Sequence, residues 1–373
     1  MAGIYLHIPF CKQACHYCNF HFSTTLKNYA QTVNAIGWEI ENRKDYLPEN
    51  TIDTIYFGGG TPSILKEKDL SDILNRIHKN YEVNAAAEIT LEANPDDITK
   101  EKLDAWKQAG INRLSIGVQS FFEEDLKWMN RAHNSAQAES ALRWAKEAGF
   151  ENITADLIYG LPHGHWEANI QKMVSFGIPH ISSYALMLEE NTALHHFVKA
   201  KKTSLPLDEN VVQDYSVLCK NLTAAGYDHY EISNFAKPGF RSKHNGSYWK
   251  GIPYLGIGPS AHSYDGTNRR WNIANNQLYA KHIESGKAYW EDEVLKEEDR
   301  FNEYLMTGLR KAEGISLDYL ESTFDQNLIQ HLIDSAAPLI TQRKLVLKEE
   351  VLFIPEKEWF TADTIIAELF WVD

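Results

Sequence analysis

Cysteine is scarce in this chain of 373 residues, which has four, at positions 11, 15, 18 and 219. With three of the four crowded into positions 11–18, they make a poor disulfide framework, and a thiol group of this kind more often binds metal or does redox work. Basic charge is also short: 37 Lys and Arg stand against 51 Asp and Glu, a net charge of −14. The basic residues are scattered and form no stripe, which argues against nucleic acid as the main partner. No run of 18 apolar residues occurs, so no membrane-spanning helix is expected. The first residues, "MAGIYLHIPFC", lack a basic segment, a long apolar run and a small-residue cleavage site, so a cytoplasmic location is expected. There is no basic amphipathic helix to hold a membrane surface, no internal repeat and no low-complexity tract.

What is present is a rhythm. β-Branched and aromatic runs at 3–8, 51–57, 86–94, 112–120, 152–160 and 180–187 alternate with helical spacing near 26–46, 66–79, 99–109, 134–148, 166–176 and 208–225. Six strands alternating with helices predict parallel βαβ units in an α/β fold. The turn signals "GGGTP", "EANPDD" and "GLPHG" each follow a strand, at the rim where (β/α) barrels place their active sites. After residue 225 the rhythm stops. Residues 226–296 are dense in Gly, Asn, Tyr and Trp and read as an extension of strands and loops. Residues 297–373 read as a small helical or winged-helix-like domain with a strand pair at 344–354. The expected architecture is therefore a partial (β/α)6 barrel over 1–225, an α+β extension over 226–296 and the small C-terminal domain.

Cys11, Cys15 and Cys18 follow the first strand with the spacing C-x3-C-x2-C. Three thiolates are one short of a closed tetrahedral site. A four-iron cluster held by them keeps one iron open, whereas a Cys3His zinc site would recruit His7, His16 or His21, and free thiols remain a third reading. Gly59, Gly60 and Thr61 end the second strand, where glycine lets bare backbone approach a ligand. Glu92 and Asp156 are carboxylates on the third and fifth strands, placed to grip a diol through paired acceptor oxygens.

The motif "YLHIPFCKQACHYC" resembles the cluster loop of the radical S-adenosylmethionine (SAM) superfamily. The resemblance implies a [4Fe–4S] cluster on Cys11, Cys15 and Cys18, with SAM completing the coordination of the open iron and yielding a 5′-deoxyadenosyl radical when cleaved. It further implies that Gly59, Gly60 and Thr61 receive the SAM amino group, that Glu92, Gln119 and Asp156 line the SAM site, that Arg131 partners the SAM carboxylate, and that Tyr5 and Tyr17 flank the cofactor.

The stretches "GGGTPS", "IGVQSF", "DLIYGLP" and "YEISNFAKPG" resemble the branch that holds the HemW-type heme chaperones and the oxygen-independent coproporphyrinogen III dehydrogenases. The dehydrogenase pattern has a further cysteine two residues past the third ligand, where Phe20 stands here, and an extension ahead of the barrel, whereas here the motif begins at residue 11. "HNGSYW" (244–249) matches the chaperone pattern HNxxYW, in which the histidine is implicated in heme binding. A HemW-type heme chaperone is therefore expected, with His244 as axial ligand and heme as third cofactor, and the dehydrogenase is the alternative. The partners this implies are heme and a heme-acceptor protein, with a respiratory enzyme, transient membrane contact and a homodimer left open. "GIGPSA" (256–261) is discounted as a dinucleotide motif, "HH" (195–196) as surface, and Cys219 reads as a buried structural thiol.

Overall fold

The computed structural model describes residues 2–372. Six strands, β1 (Ala2–Ile8), β2 (Thr51–Gly59), β3 (Glu82–Ala93), β4 (Arg113–Gln119), β5 (Asn152–Tyr159) and β6 (His180–Ala185), lie parallel and in sequence order. Their connections carry α1 (Tyr29–Asn42), α2 (Glu67–Asn80), α3 (Lys100–Gln108), α4 (Glu123–Trp128), α5 (Ser135–Glu147) and α6 (Trp166–Phe176). β1 buries every residue but Tyr5, as expected of a strand covered on both faces. α2 turns Leu70, Ile73, Leu74 and Ile77 to the core, the three-to-four-residue spacing that packs a helix on a sheet. α5 starts at a capping box in which Asn134 and Gln137 satisfy each other's backbone N–H groups. Within residues 1–225 the periodicity misses two helices, α4 and α7 (Ala193–Lys199), of six and seven residues, too few to show a period.

After α8 (Asp208–Ala224), the chain returns to the same sheet at both edges. β7 (Asp228–Glu231) and β8 (Asn234–Ala236) extend it antiparallel beyond β6. A short helix, α9 (Lys243–Tyr248), then leads to β9 (Tyr254–Ile257), which pairs parallel with β1. β10 (His262–Tyr264), β11 (Asn268–Asn272) and β12 (Trp290–Val294) finish a twelve-stranded sheet, with α10 (Asn276–Glu284) between the last two. The C-terminal part holds α11 (Glu297–Gly308), β13 (Ile315–Ser316), α12 (Leu317–Thr323), α13 (Gln326–Thr341), β14 (Val346–Lys348), β15 (Val351–Phe353) and α14 (Ala362–Ala367), its three strands forming a second sheet. Among the described residues no helix is long and apolar enough to cross a membrane.

One buried carboxylate fastens the returning edge to the barrel. Glu39 of α1 is fully buried and accepts from Arg43 at 3.1 Å, from Gly258 N–H at 2.9 Å, from Asn272 Nδ2 at 2.9 Å and from the Tyr279 hydroxyl. Arg43 is one turn away at the end of α1, while Gly258, Asn272 and Tyr279 come from more than 200 residues away, so removing Glu39 strands a buried guanidinium and several donors. Glu39→Ala is expected to cost about 3–5 kcal/mol in urea unfolding, and a loss under about 1 kcal/mol would show that this edge is held by apolar packing alone.

Candidate functional site

The loop after β1 folds back on itself. Cys11 N–H donates to Ser23 O at 3.0 Å, and Cys18 N–H to Cys15 O at 3.3 Å. The three thiols are half-buried, and with Tyr17 they line one wall of a cavity of about 420 Å³ at the C-terminal ends of the parallel strands. Burial and the neighbouring thiols push Cys11 up to about 11, and burial also raises Cys18. Only a cation would reverse that reluctance to ionise.

The glycine turn fits against this loop. A side chain at Gly60 would place Cβ 2.8 Å from the carbonyl oxygens of Ile8 and Phe10, and one at Gly59 would meet the His7 ring at 2.6 Å. Gly59 has φ +104°, and Gly60 N–H donates to Ile8 O at 2.9 Å. The close approach anticipated from the glycines is therefore made to the thiol-bearing loop, which lets it lie flush on the end of β2. Thr61, next in line, donates its hydroxyl to Cys11 Sγ at 3.4 Å and accepts from Asn94 Nδ2 at 3.2 Å.

Arg131, fixed just after α4, joins the walls. One terminal nitrogen reaches Cys15 Sγ at 3.3 Å and the Tyr17 hydroxyl at 3.4 Å, while the other donates to Asn94 Oδ1 at 2.7 Å and Gly117 O at 2.9 Å. Asn94 thus bridges Arg131 and Thr61, and the sequence reading missed it. The signal was available in its place at the end of β3, two residues past Glu92. Gln119, at the end of β4, adopts φ +64°, an uncommon left-handed conformation for a residue with a side chain. Its Oε1 is buried without a hydrogen-bond partner among the described residues, as is Arg131 Nε. Unsatisfied polar atoms facing a cavity are what a polar ligand would complete.

The floor carries Glu92 and Asp156, both half-buried. Glu92 accepts from the Tyr56 hydroxyl at 2.8 Å and from Gly59 N–H. Asp156 lies beside the Ser182 and Ser115 hydroxyls, which favour its charged form. Burial, and for Glu92 the nearby Asp156 charge, push Glu92 up to about 8, while burial lifts Asp156 to about 7 against the pull of Arg131 and Arg113. Eleven of the thirteen anticipated site residues line this one cavity: Cys11, Cys15, Cys18, Tyr17, Gly59, Gly60, Thr61, Glu92, Gln119, Arg131 and Asp156. Phe20 stands at its mouth, 69% exposed.

Tyr5 and His244 lie outside it. His244, at the start of α9, is buried inside the sheet, stacked on Tyr56 at 4.9 Å and on Tyr5 at 6.4 Å. Its Nδ1 meets the Thr54 hydroxyl at 2.7 Å, and its Nε2 meets the Tyr248 hydroxyl at 3.0 Å. The Glu88 carboxylate caps α9 by accepting from the N–H groups of Lys243 and His244. Burial first, then the Arg113 charge, hold the imidazole neutral by lowering it to about 3. Tyr56 bonds to Glu92 and stacks on His244, so it connects the cavity floor to the motif beneath, and Asn245 reaches the cavity itself.

The donor set suits the two groups the motif implies. Three thiols with no imidazole bonded among them favour an iron–sulfur cluster over a closed zinc site. His7 Nε2 is held by His21 O, His16 Nδ1 by Trp128 O and His21 Nε2 by Asn276, so none of the three is turned to the thiols by these bonds. The unsatisfied Gln119 Oε1 and Arg131 Nε suit a zwitterionic ligand with N–H and carboxylate groups.

The carboxyl pair sets a pH dependence. The unfolded chain loses these protons near the ordinary values of 4.5 and 3.8, whereas the folded site keeps them to about 8 and 7. The native state then binds more protons through that window, and stability falls as pH rises across it. Glu92→Gln, which keeps the Tyr56 bond, is expected to raise the Tm of the cluster-free chain by a few degrees at about pH 8.5 and to leave it within about one degree at about pH 5. Parallel Tm curves for the two proteins would show that Glu92 ionises freely.

Comparison with known proteins agrees with this geometry. The model of the Radical SAM superfamily matches residues 5–191, and that of the HemN C-terminal domain matches residues 295–361. A relative from Bacillus subtilis (strain 168), named heme chaperone HemW, is 36% identical over 336 residues, 88% of each chain. The HemW of Lactococcus lactis subsp. lactis (strain IL1403) is 33% identical over 99% of this chain and 97% of its own. In the Escherichia coli (strain K12) HemW, identity is 36% over 70% of this chain and 69% of that one. Among solved structures, the coproporphyrinogen III oxidase HemN of Escherichia coli superposes with a TM-score of 0.86 at 23% identity, covering 99% of this chain and 90% of that one, which shows a shared fold. With these motifs, this cavity and this kinship, the chain belongs to the radical SAM superfamily and, within it, to the HemW family.

Proposed function

We propose that this protein is a heme chaperone, which binds heme and passes it to an acceptor protein while holding a [4Fe–4S] cluster and SAM in the cavity at the strand ends. The observation that carries the reading is the near end-to-end match with the Lactococcus relative, which bears the heme-chaperone name. Cys11, Cys15 and Cys18 would hold the cluster. The cluster, when bound, supplies one-electron chemistry. Gln119 Oε1 accepts from a ligand N–H, Thr61 and Arg131 orient the thiol loop, and Arg131 presents positive charge to a ligand carboxylate. Glu92 and Asp156 accept from a diol, and the proton held between them at neutral pH spares the floor two adjacent negative charges. A respiratory heme protein as acceptor, reached from the cytoplasm with transient membrane contact, and a homodimer belong to the same reading.

His244 is the proposed axial ligand. Burial keeps its imidazole neutral, the form that coordinates iron. Coordination through Nε2 requires the Tyr248 bond to break and α9 to move off β2, so heme capture is gated by an opening of this motif. In heme titrations of the anaerobically reconstituted protein, the wild type is expected to show a shifted Soret band. Tyr248→Phe, which releases Nε2, should bind about five- to tenfold more tightly, and His244→Ala should lose the shifted band. An unchanged band and affinity in His244→Ala would remove that residue from the role. Absence of heme binding in the wild type, or decarboxylation of coproporphyrinogen III with SAM and a reductant, would overturn the chaperone reading itself.

A further inference from the structure

At the far edge of the sheet, three side chains with metal-binding atoms meet. Cys219 lies on α8, His229 on β7, and Glu356 opens the 3-10 turn Glu356–Thr361 of the C-terminal part. One ligand atom from each falls within 4.8 Å of the other two. His229 Nδ1 is 2.7 Å from Glu356 Oε1, and Nε2 is 3.3 Å from Ile232 O. The ring is only 3% exposed, stacked on Phe235 at 4.0 Å and edge-on to Trp359 at 4.5 Å.

The ring has one proton too few for its surroundings. Both atoms it faces are acceptors, a carboxylate and a carbonyl, and a neutral imidazole carries a single N–H. Burial opposes the second proton by lowering the pKa of His229, although Glu356 pulls the other way. With the proton on Nε2 and donated to Ile232 O, the Nδ1 lone pair points at a carboxylate oxygen 2.7 Å away. A cation beside Nδ1 resolves that opposition, and the Cys219 thiol stands close enough to join in.

We propose that Cys219 Sγ, His229 Nδ1 and a Glu356 carboxylate oxygen form a zinc site, with water as fourth ligand on the exposed Glu356 side. The ligand set is one thiolate, one imidazole and one carboxylate, a mixture that zinc accepts, and a tetrahedral ion draws such atoms to about 3.2–3.7 Å from one another. The Nε2–H bond to Ile232 O is the outer bond that fixes the tautomer of a ligating histidine. Binding breaks the Cys219 S–H bond and forms a sulfur–zinc bond, and the proton leaves to solvent. Burial otherwise holds that thiol up to about 12, so affinity rises with pH. The ion would brace α8 and the last strand of the sheet against the C-terminal part, joining positions 219, 229 and 356 without any involvement of the cluster cysteines.

The test uses the cluster-loaded protein, stripped of loosely held metal with a mild chelator and titrated with zinc. It should take up one zinc per chain, and zinc K-edge absorption should show one sulfur at about 2.3 Å among nitrogen and oxygen neighbours at about 2.0–2.2 Å. Glu356→Gln changes a side chain 54% exposed and leaves the packing intact, yet should weaken zinc at least about tenfold. Cys219→Ser should remove the sulfur neighbour. No zinc uptake, zinc with no sulfur neighbour, zinc with three sulfurs from the cluster loop, or undiminished affinity in Glu356→Gln would each overturn the proposal.

Discussion

The half-buried guanidinium of Arg131 holds the candidate site together. Arg131 touches the thiol loop at Cys15 and Tyr17, the end of β3 through Asn94 and the end of β4 through the Gly117 carbonyl. Through Asn94 it also reaches Thr61, whose hydroxyl donates to Cys11. A cation in this position does two things at once: it aligns four chain segments by fixed fork geometry, and its charge works against the burial that raises Cys11 and Cys18. Lysine could supply the charge but not the simultaneous bonds in different directions.

The glycine turn is the steric counterpart of that electrostatic hub. Arg131 draws the thiol loop inward, and the missing side chains at Gly59 and Gly60 give it somewhere to lie. Below them the cavity floor is acidic and reluctant to ionise, and Tyr56 transmits its position to the His244 ring by one hydrogen bond and one stacked face. The chemistry of the strand ends and the HNxxYW motif are thus neighbours through a shared tyrosine, although the two lie far apart in sequence.

Much of this was legible beforehand, for identifiable reasons. β1 and its five parallel successors show as apolar runs because strands covered on both faces bury nearly every residue, and cluster ligands sit close in sequence because a loop must wrap one small object. The short strands at the sheet edges escaped because their apolar content is set by partners far away: β9 joins β1 with Gly256 beside Tyr5. "HNGSYW" lies in a stretch that reads as strands and loops, and the carboxylate of Glu88, from 155 residues earlier in the chain, caps it as the helix α9 with His244 buried. Asn94 and Tyr56 were passed over because neither residue type carries chemistry alone; their importance lies in what they connect. The glycines were recognised as sites of close approach, but sequence could not say that the approach is to the protein's own loop.

Convergence of the thiols, the unsatisfied Gln119 and Arg131 atoms and the two carboxyls on one cavity is what makes this site more than a set of motifs. On the proposed reading, a cluster on Cys11, Cys15 and Cys18 and a SAM molecule would be within bonding reach of each other. The most direct measurement is electron paramagnetic resonance of the reduced, reconstituted protein before and after SAM is added. The account predicts a [4Fe–4S]⁺ signal whose g values change on addition of SAM, because the ligand alters the open iron. A spectrum indifferent to saturating SAM, in protein with a full complement of iron and sulfide, would contradict it.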